Sequence, residues 1–131
     1  MAEIAKLSIG FAAVIFALAL SDACALAENA PPAPLASPEI YKVVAETMEL
    51  RVIKAIWQPG QEDKFHSHPA DQITLYQTDC HLRLTGRDGS SIVVSQSHGE
   101  AAVRMGKPIP GHKVKNIGEN VCALWILELQ K

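Results

Sequence analysis

Two histidines stand one residue apart in the stretch GQEDKFHSHPADQ, Gly60 to Gln72. On an extended strand alternate side chains share a face, so His66 and His68 project together while Ser67 projects the other way. Imidazoles one pleat apart can each turn a ring nitrogen toward one cation at about 2 Å. A third histidine, His112, opens the stretch HKVKN directly after the proline-bearing turn GKPIPG. It is distant in sequence, but an antiparallel β-fold can lay its strand beside the first. Three neutral imidazoles on one side of an ion leave other coordination positions open. That arrangement suits a divalent first-row metal that also binds water, dioxygen or a chelating substrate. The competing reading, a set of ordinary core histidines, explains one such residue more easily than three.

The elements that must position these residues read as strands. From Glu39 onward the chain carries IYKVVAE, MELRVIKAIW, KFHSH, QITLYQT, CHLRLTG, SIVVSQ, EAAVRM, HKVKNI and VCALWILEL, separated by turn signals. The segments are rich in β-branched residues and alternate loosely. RDGS, Arg87 to Ser90, is an Asp-Gly hairpin signal. No segment in this part holds a 3.6-residue period for ten residues, so no helix is expected. Many short strands at this spacing predict an all-β sandwich or barrel.

The 131 residues allow one domain, and the net charge of −2 is spread without a basic stripe that would suit nucleic acid. Residues 1–27 read as a secretory signal peptide: an apolar run from Ile9 to Leu20, then the small-x-small site Ala25-Leu26-Ala27. An uncleaved anchor and a lipidated Cys24 are the alternatives. Residues 28–38, with four prolines between Asn29 and Pro38, read as a linker, and residues 39–131 as the folded domain. Export would place the mature chain in the periplasm or outside the cell, free of the membrane once cleaved, with Cys80 and Cys122 in an oxidising compartment. The pair is open to a disulfide or to two separate buried thiols, and the second reading is preferred here.

The two histidine motifs together resemble the cupin superfamily, and specifically its small single-domain bacterial, cupin-2-like members. The first family motif runs Gly, five residues, His-x-His, three or four residues, Glu, six residues, Gly. Here Gly60, His66, His68 and Gln72 fill that spacing, with Gln72 at the Glu position and Asp79 at the last Gly. The second motif ends in a Pro-rich turn, His, three residues and Asn, matched by Pro108, Pro110, His112 and Asn116. The resemblance spans Tyr41 to Lys131. It implies a double-stranded β-helix (jelly-roll) barrel and a metal held by His66, His68 and His112, with Gln72 as fourth ligand or as a hydrogen-bonding neighbour. It also implies a homodimer formed near Tyr41 to Trp57. Asp71 is the alternative carboxylate if the strand is bulged.

A neutral His-rich set suits Fe, Zn, Ni or Cu better than Mn. Thr74 and Tyr76 share the face of Gln72 by alternation, and Tyr76 is the candidate catalytic hydroxyl. Trp57 and Trp125 are expected in the core, while His81 and His98 are expected at the surface. Lys113 and Lys115 alternate away from His112 as a solvated face, and Asn116 is expected to fix a strand end. The function expected is a small metal enzyme, dioxygenase- or isomerase-like, acting on a small polar molecule. A periplasmic module that holds a metal or small ligand without turnover is the alternative.

Overall fold

The computed structural model describes residues 29–131. The expected signal peptide, residues 1–27, lies outside them. No helix among the described residues is long and apolar enough to cross a membrane.

Nine strands form, each where the sequence placed one: β1 (Tyr41–Glu46), β2 (Leu50–Trp57), β3 (His66–His68), β4 (Gln72–Tyr76), β5 (Cys80–Gly86), β6 (Ser91–Gln96), β7 (Ala101–Arg104), β8 (Ile109–Asn116) and β9 (Cys122–Leu129). They pair antiparallel in two sheets, β1-β2-β9-β4-β7 and β3-β8-β5-β6. Both sheets turn their apolar alternate residues inward, and β9 shows this most plainly. Its Cys122, Leu124, Ile126 and Glu128 are buried, while Ala123, Trp125, Leu127 and Leu129 lie half-exposed between them. Trp125, expected in the core, is therefore on the outer face, where the Lys54 ammonium sits 5.4 Å from its ring centre. Trp57 is in the core as expected.

Register sorts the inward-facing residues into rows that open to solvent at β6 and β7, because directly opposed residues share a face. In the five-stranded sheet Ile53, Ile126, Thr74 and Ala102 form one row. Ala55, Leu124 and Tyr76 form the next. The end row is polar throughout: Arg51, Glu128, Gln72 and Arg104. In the facing sheet the end row is His66, His112 and Gly86. Below it lie Val114, Leu84 and Ile92, then Asn116, Leu82 and Val94. The barrel thus has an apolar body and one polar end, with His66, His112 and Gln72 at that end and Tyr76, the candidate catalytic hydroxyl, in the body.

The opposite end is tied by covalent and polar links. Cys80 and Cys122 form a disulfide joining the two sheets across 42 residues of sequence, which corrects the expectation of two separate thiols. The two positions are the first inward residues of β5 and β9, and strand alternation alone does not reveal that they face each other. Asn116 donates to the Trp57 and Asn120 carbonyls and accepts from Gly118 N–H, fixing a strand end as expected.

The proline-bearing stretch does not run free as a linker. Ala33–Ala36 form one helical turn, and Ala30, Ala33 and Ala36 are buried. Ala30 N–H donates to the Pro110 carbonyl and Ser67 N–H to the Pro31 carbonyl. The Ser67 hydroxyl donates to the Ala30 carbonyl at 2.5 Å, and Ser37 accepts from Lys64 N–H. Small alanines let this segment lie close, and Pro32 keeps the chain extended just before the helical turn. It grips the outward-facing residue between His66 and His68, so β3, only three residues long, is held from both sides.

Removing the disulfide with a Cys80→Ala/Cys122→Ala double variant is expected to lower unfolding free energy by about 2–4 kcal/mol, given the length of the closed loop. Urea unfolding followed by tryptophan fluorescence measures it. An unchanged midpoint would show that the link adds nothing to the fold.

Candidate metal centre

The three histidines converge. His66 lies directly opposite His112 across the β3–β8 pair, and His68 opposite Ile109, with a register slip of one residue between them. The slip falls at Pro110, which has no N–H to give to the ladder. Ring centroids are 4.8 Å apart for His66–His68, 4.5 Å for His66–His112 and 5.2 Å for His68–His112. One nitrogen from each ring lies within 4.8 Å of the other two.

The hydrogen bonds decide which nitrogens these are. His66 Nδ1 lies 2.9 Å from the Lys64 carbonyl, which only accepts, so Nδ1 carries the proton. His68 Nδ1 lies 2.9 Å from Glu128 Oε1, a carboxylate that binds an N–H. In both rings the lone pair is therefore left on Nε2. His112 Nε2 is buried and has no hydrogen-bond partner. A buried nitrogen without a partner is costly unless something else fills its place. Protein groups holding Nδ1–H while Nε2 faces a common point is how imidazoles are oriented for metal ligation. The donor set thus fits a divalent ion.

Glu128 and Asp63 are polar groups that the sequence reading passed over. Glu128 is 2 % exposed and, besides His68, faces Arg51 Nη1 at 3.6 Å. Its signal was visible: an acid at an inward position of an otherwise apolar strand. Asp63, in the loop before β3, accepts from Val114 N–H at 2.6 Å and from the Tyr41 hydroxyl at 2.6 Å. Burial raises its carboxyl to about 6, although both hydrogen bonds pull the other way. Tyr41 Oη also lies 3.3 Å from His66 Nε2. Burial, then the Asp63 charge, hold the Tyr41 phenol well above its ordinary range.

Gln72 is buried and lines a cavity of about 580 Å³ that His68, His112, Arg104 and both tyrosines also border. Asp71 is not with the histidines: its carboxylate binds Lys131 Nζ at 2.5 Å and Gly106 N–H at 2.8 Å. Tyr76 borders the cavity but stands four residues along β4 from Gln72, about 13 Å at strand rise. The tyrosine in contact with the histidines is Tyr41, which no motif marked. His98, beside Asp79, is at the surface as expected, and His81 bonds Ser95 in an exposed contact. Lys113 forms a partly exposed ion pair with Glu62. Arg104 was passed over in sequence because its neighbours carry no cluster; only the register with Gln72 reveals its place.

These histidines also couple the fold to pH. Burial, with the neighbouring His68 charge, holds His66 near 4; burial, then His66, His68 and Arg104, hold His112 near 3. Unfolded imidazoles titrate at about 6.5, so between there and about 4 the unfolded chain carries two more protons on these groups. Stability on their account rises with pH in that window. Asp63 opposes this between 3.8 and about 6, where the folded carboxyl keeps a proton that the unfolded one releases. Two groups against one leave a net loss on acidification. The urea midpoint of the metal-free domain is expected to fall between pH 7 and pH 5, and a flat or rising midpoint would contradict the burial of neutral imidazoles.

No family model matches the sequence, and no curated protein matches it. Solved structures do. A cupin domain from Bordetella pertussis Tohama I superposes with a TM-score of 0.62 at 22% identity, covering 78% of this chain and 97% of that one. An RmlC-like cupin with a double-stranded β-helix fold from Methanocaldococcus jannaschii gives 0.54 at 10% identity, covering 70% and 79%. A conserved protein with a double-stranded β-helix domain from Klebsiella pneumoniae gives 0.51 at 27% identity, covering 69% and 70%. With two antiparallel sheets closing over a three-histidine cluster, residues 29–131 have the double-stranded β-helix fold of the small cupins.

Proposed function

We propose that this protein is a small metal-dependent enzyme that acts on a small polar molecule at a centre held by His66, His68 and His112. One observation carries the reading: the Nδ1 atoms of His66 and His68 are occupied by protein acceptors while His112 Nε2 is buried without a partner. Three neutral nitrogens, with the amide of Gln72 in place of a carboxylate, suit Fe, Zn, Ni or Cu better than Mn. Such an ion would supply either redox chemistry of the dioxygenase kind or the Lewis acidity an isomerase needs.

The chain's own residues would do the rest. Leu84, Ile92, Val94 and Ile109 line the cavity and exclude water from one side of a ligand. Gln72 and Thr74 border it and offer hydrogen bonds. Tyr41, anchored by Asp63, sets a hydroxyl beside His66. A second reading, a module that holds a ligand without turnover, is favoured by one fact. No carboxylate borders the cavity among the described residues, and both bordering phenols are pushed up by burial, which makes them poor bases at neutral pH.

The same proposal includes export: the Cys80–Cys122 disulfide supports an oxidising compartment such as the periplasm. It includes a homodimer through Tyr41–Trp57, supported by exposed Val43 and Val44 on β1; a sedimentation mass of one chain would remove that part. It involves no nucleic acid, and no membrane once the leader is cleaved.

Metal content by plasma mass spectrometry, on untagged protein, tests the centre. About one equivalent of Fe, Zn, Ni or Cu is expected, lost in a His66→Ala/His68→Ala double variant. No metal in either protein, even after reconstitution, would remove the enzyme reading.

A further inference from the structure

The polar end row contains two arginines with opposite fates. Arg51 is paired: its Nη2 lies 2.6 Å from Glu46 Oε1, and its Nη1 faces Glu128 at 3.6 Å. Arg104, two strands beyond Glu128 in the same row, makes no ion pair among the described residues, and its Nη1 is buried without a hydrogen-bond partner. It borders the cavity beside Gln72, whose Cα is directly opposite, and its charge is felt at His112. No Asp or Glu lines the cavity wall. Water could fill the empty donor site, but it would leave a half-buried guanidinium without a counter-ion.

We propose that Arg104 binds the carboxylate of a small organic acid, which is the substrate or ligand class of this cavity. This deepens the metal reading and rests on it only for the ligand's second anchor, toward the histidines. The guanidinium presents donors in a planar fork that matches the two oxygens of a carboxylate. A single cation in a largely apolar wall suits a monoanion with a compact apolar body better than a phosphate dianion. The cavity, at about 580 Å³, has the size of an ordinary small-molecule site. Since the histidines and Gln72 bring no negative charge, a divalent ion beside Arg104 would make an anionic ligand still more favoured.

Isothermal titration of the whole mature protein, metal-free and zinc-loaded, tests this with pyruvate against pyruvamide, benzoate against benzamide, and inorganic phosphate. At least one carboxylate is expected to bind about tenfold or more tighter than its amide, the difference of one charge-assisted contact. Arg104→Gln is expected to erase that preference in the metal-free protein, with the thermal midpoint and zinc stoichiometry kept. Arg104→Lys, which keeps the charge but not the fork, should retain part of it. The proposal is overturned if metal-free wild-type protein shows no carboxylate preference, if the preference survives in metal-free Arg104→Gln, or if phosphate binds the metal-free protein tighter than either acid. A preference that depends on Arg104 in a protein that takes up no zinc would sustain this assignment while removing the metal reading.

Discussion

Three imidazoles packed within 4.5–5.2 Å of one another, centroid to centroid, cannot all carry charge. Three like charges so close and so dry would repel too strongly. To share one ion, each ring must present one nitrogen without a proton. The fold settles the assignment for two rings by placing an acceptor at Nδ1: the Lys64 carbonyl for His66, the Glu128 carboxylate for His68. The unprotonated nitrogen is then Nε2 in both rings, that of His66 lying 3.3 Å from the Tyr41 hydroxyl. The other polar features of this end follow from that requirement. Glu128 must be inside to hold His68, and Arg51 must be beside Glu128 to balance it. Asp63 anchors both the Tyr41 hydroxyl and the β8 backbone next to His66.

The barrel makes such a polar end tolerable by confining it. Rows of Ile53 and Ile126, then Ala55 and Leu124, then the disulfide carry the apolar burial in one direction. The polar row sits at the other limit, where it can borrow hydrogen bonds from loops. β3 is the weak element, three residues long with a slipped register. The N-terminal stretch compensates by holding Ser67 from outside through Ala30 and Pro31. Packing far from the ligands in sequence thereby governs how precisely two of them are aimed.

Strand number, strand order of appearance and the histidine trio were legible because they depend on local signals. Alternation, turn residues and a spacing of two residues need no knowledge of partners. Gln72 was reached through the spacing of the family motif, and it borders the cavity. What escaped were residues whose importance is set by cross-strand register. Arg104 is an unremarked strand-end arginine until Gln72 is seen opposite it, and Tyr41 is a strand-start aromatic until β2 closes it over His66. Cys80 and Cys122 meet only because two sheets close there. Asn29–Pro38 misled because proline excludes regular pairing, which in an isolated sequence looks the same as an absence of contacts.

The most direct test of the central claim is the tautomer of each histidine, read by long-range proton–nitrogen NMR on uniformly nitrogen-15-labelled protein with and without zinc. The structure requires His66 and His68 to hold their proton on Nδ1 in both states, and requires zinc to shift the Nε2 resonances of His66, His68 and His112 together. A proton on Nε2 of His66 or His68, or zinc that moves none of the three, would contradict it.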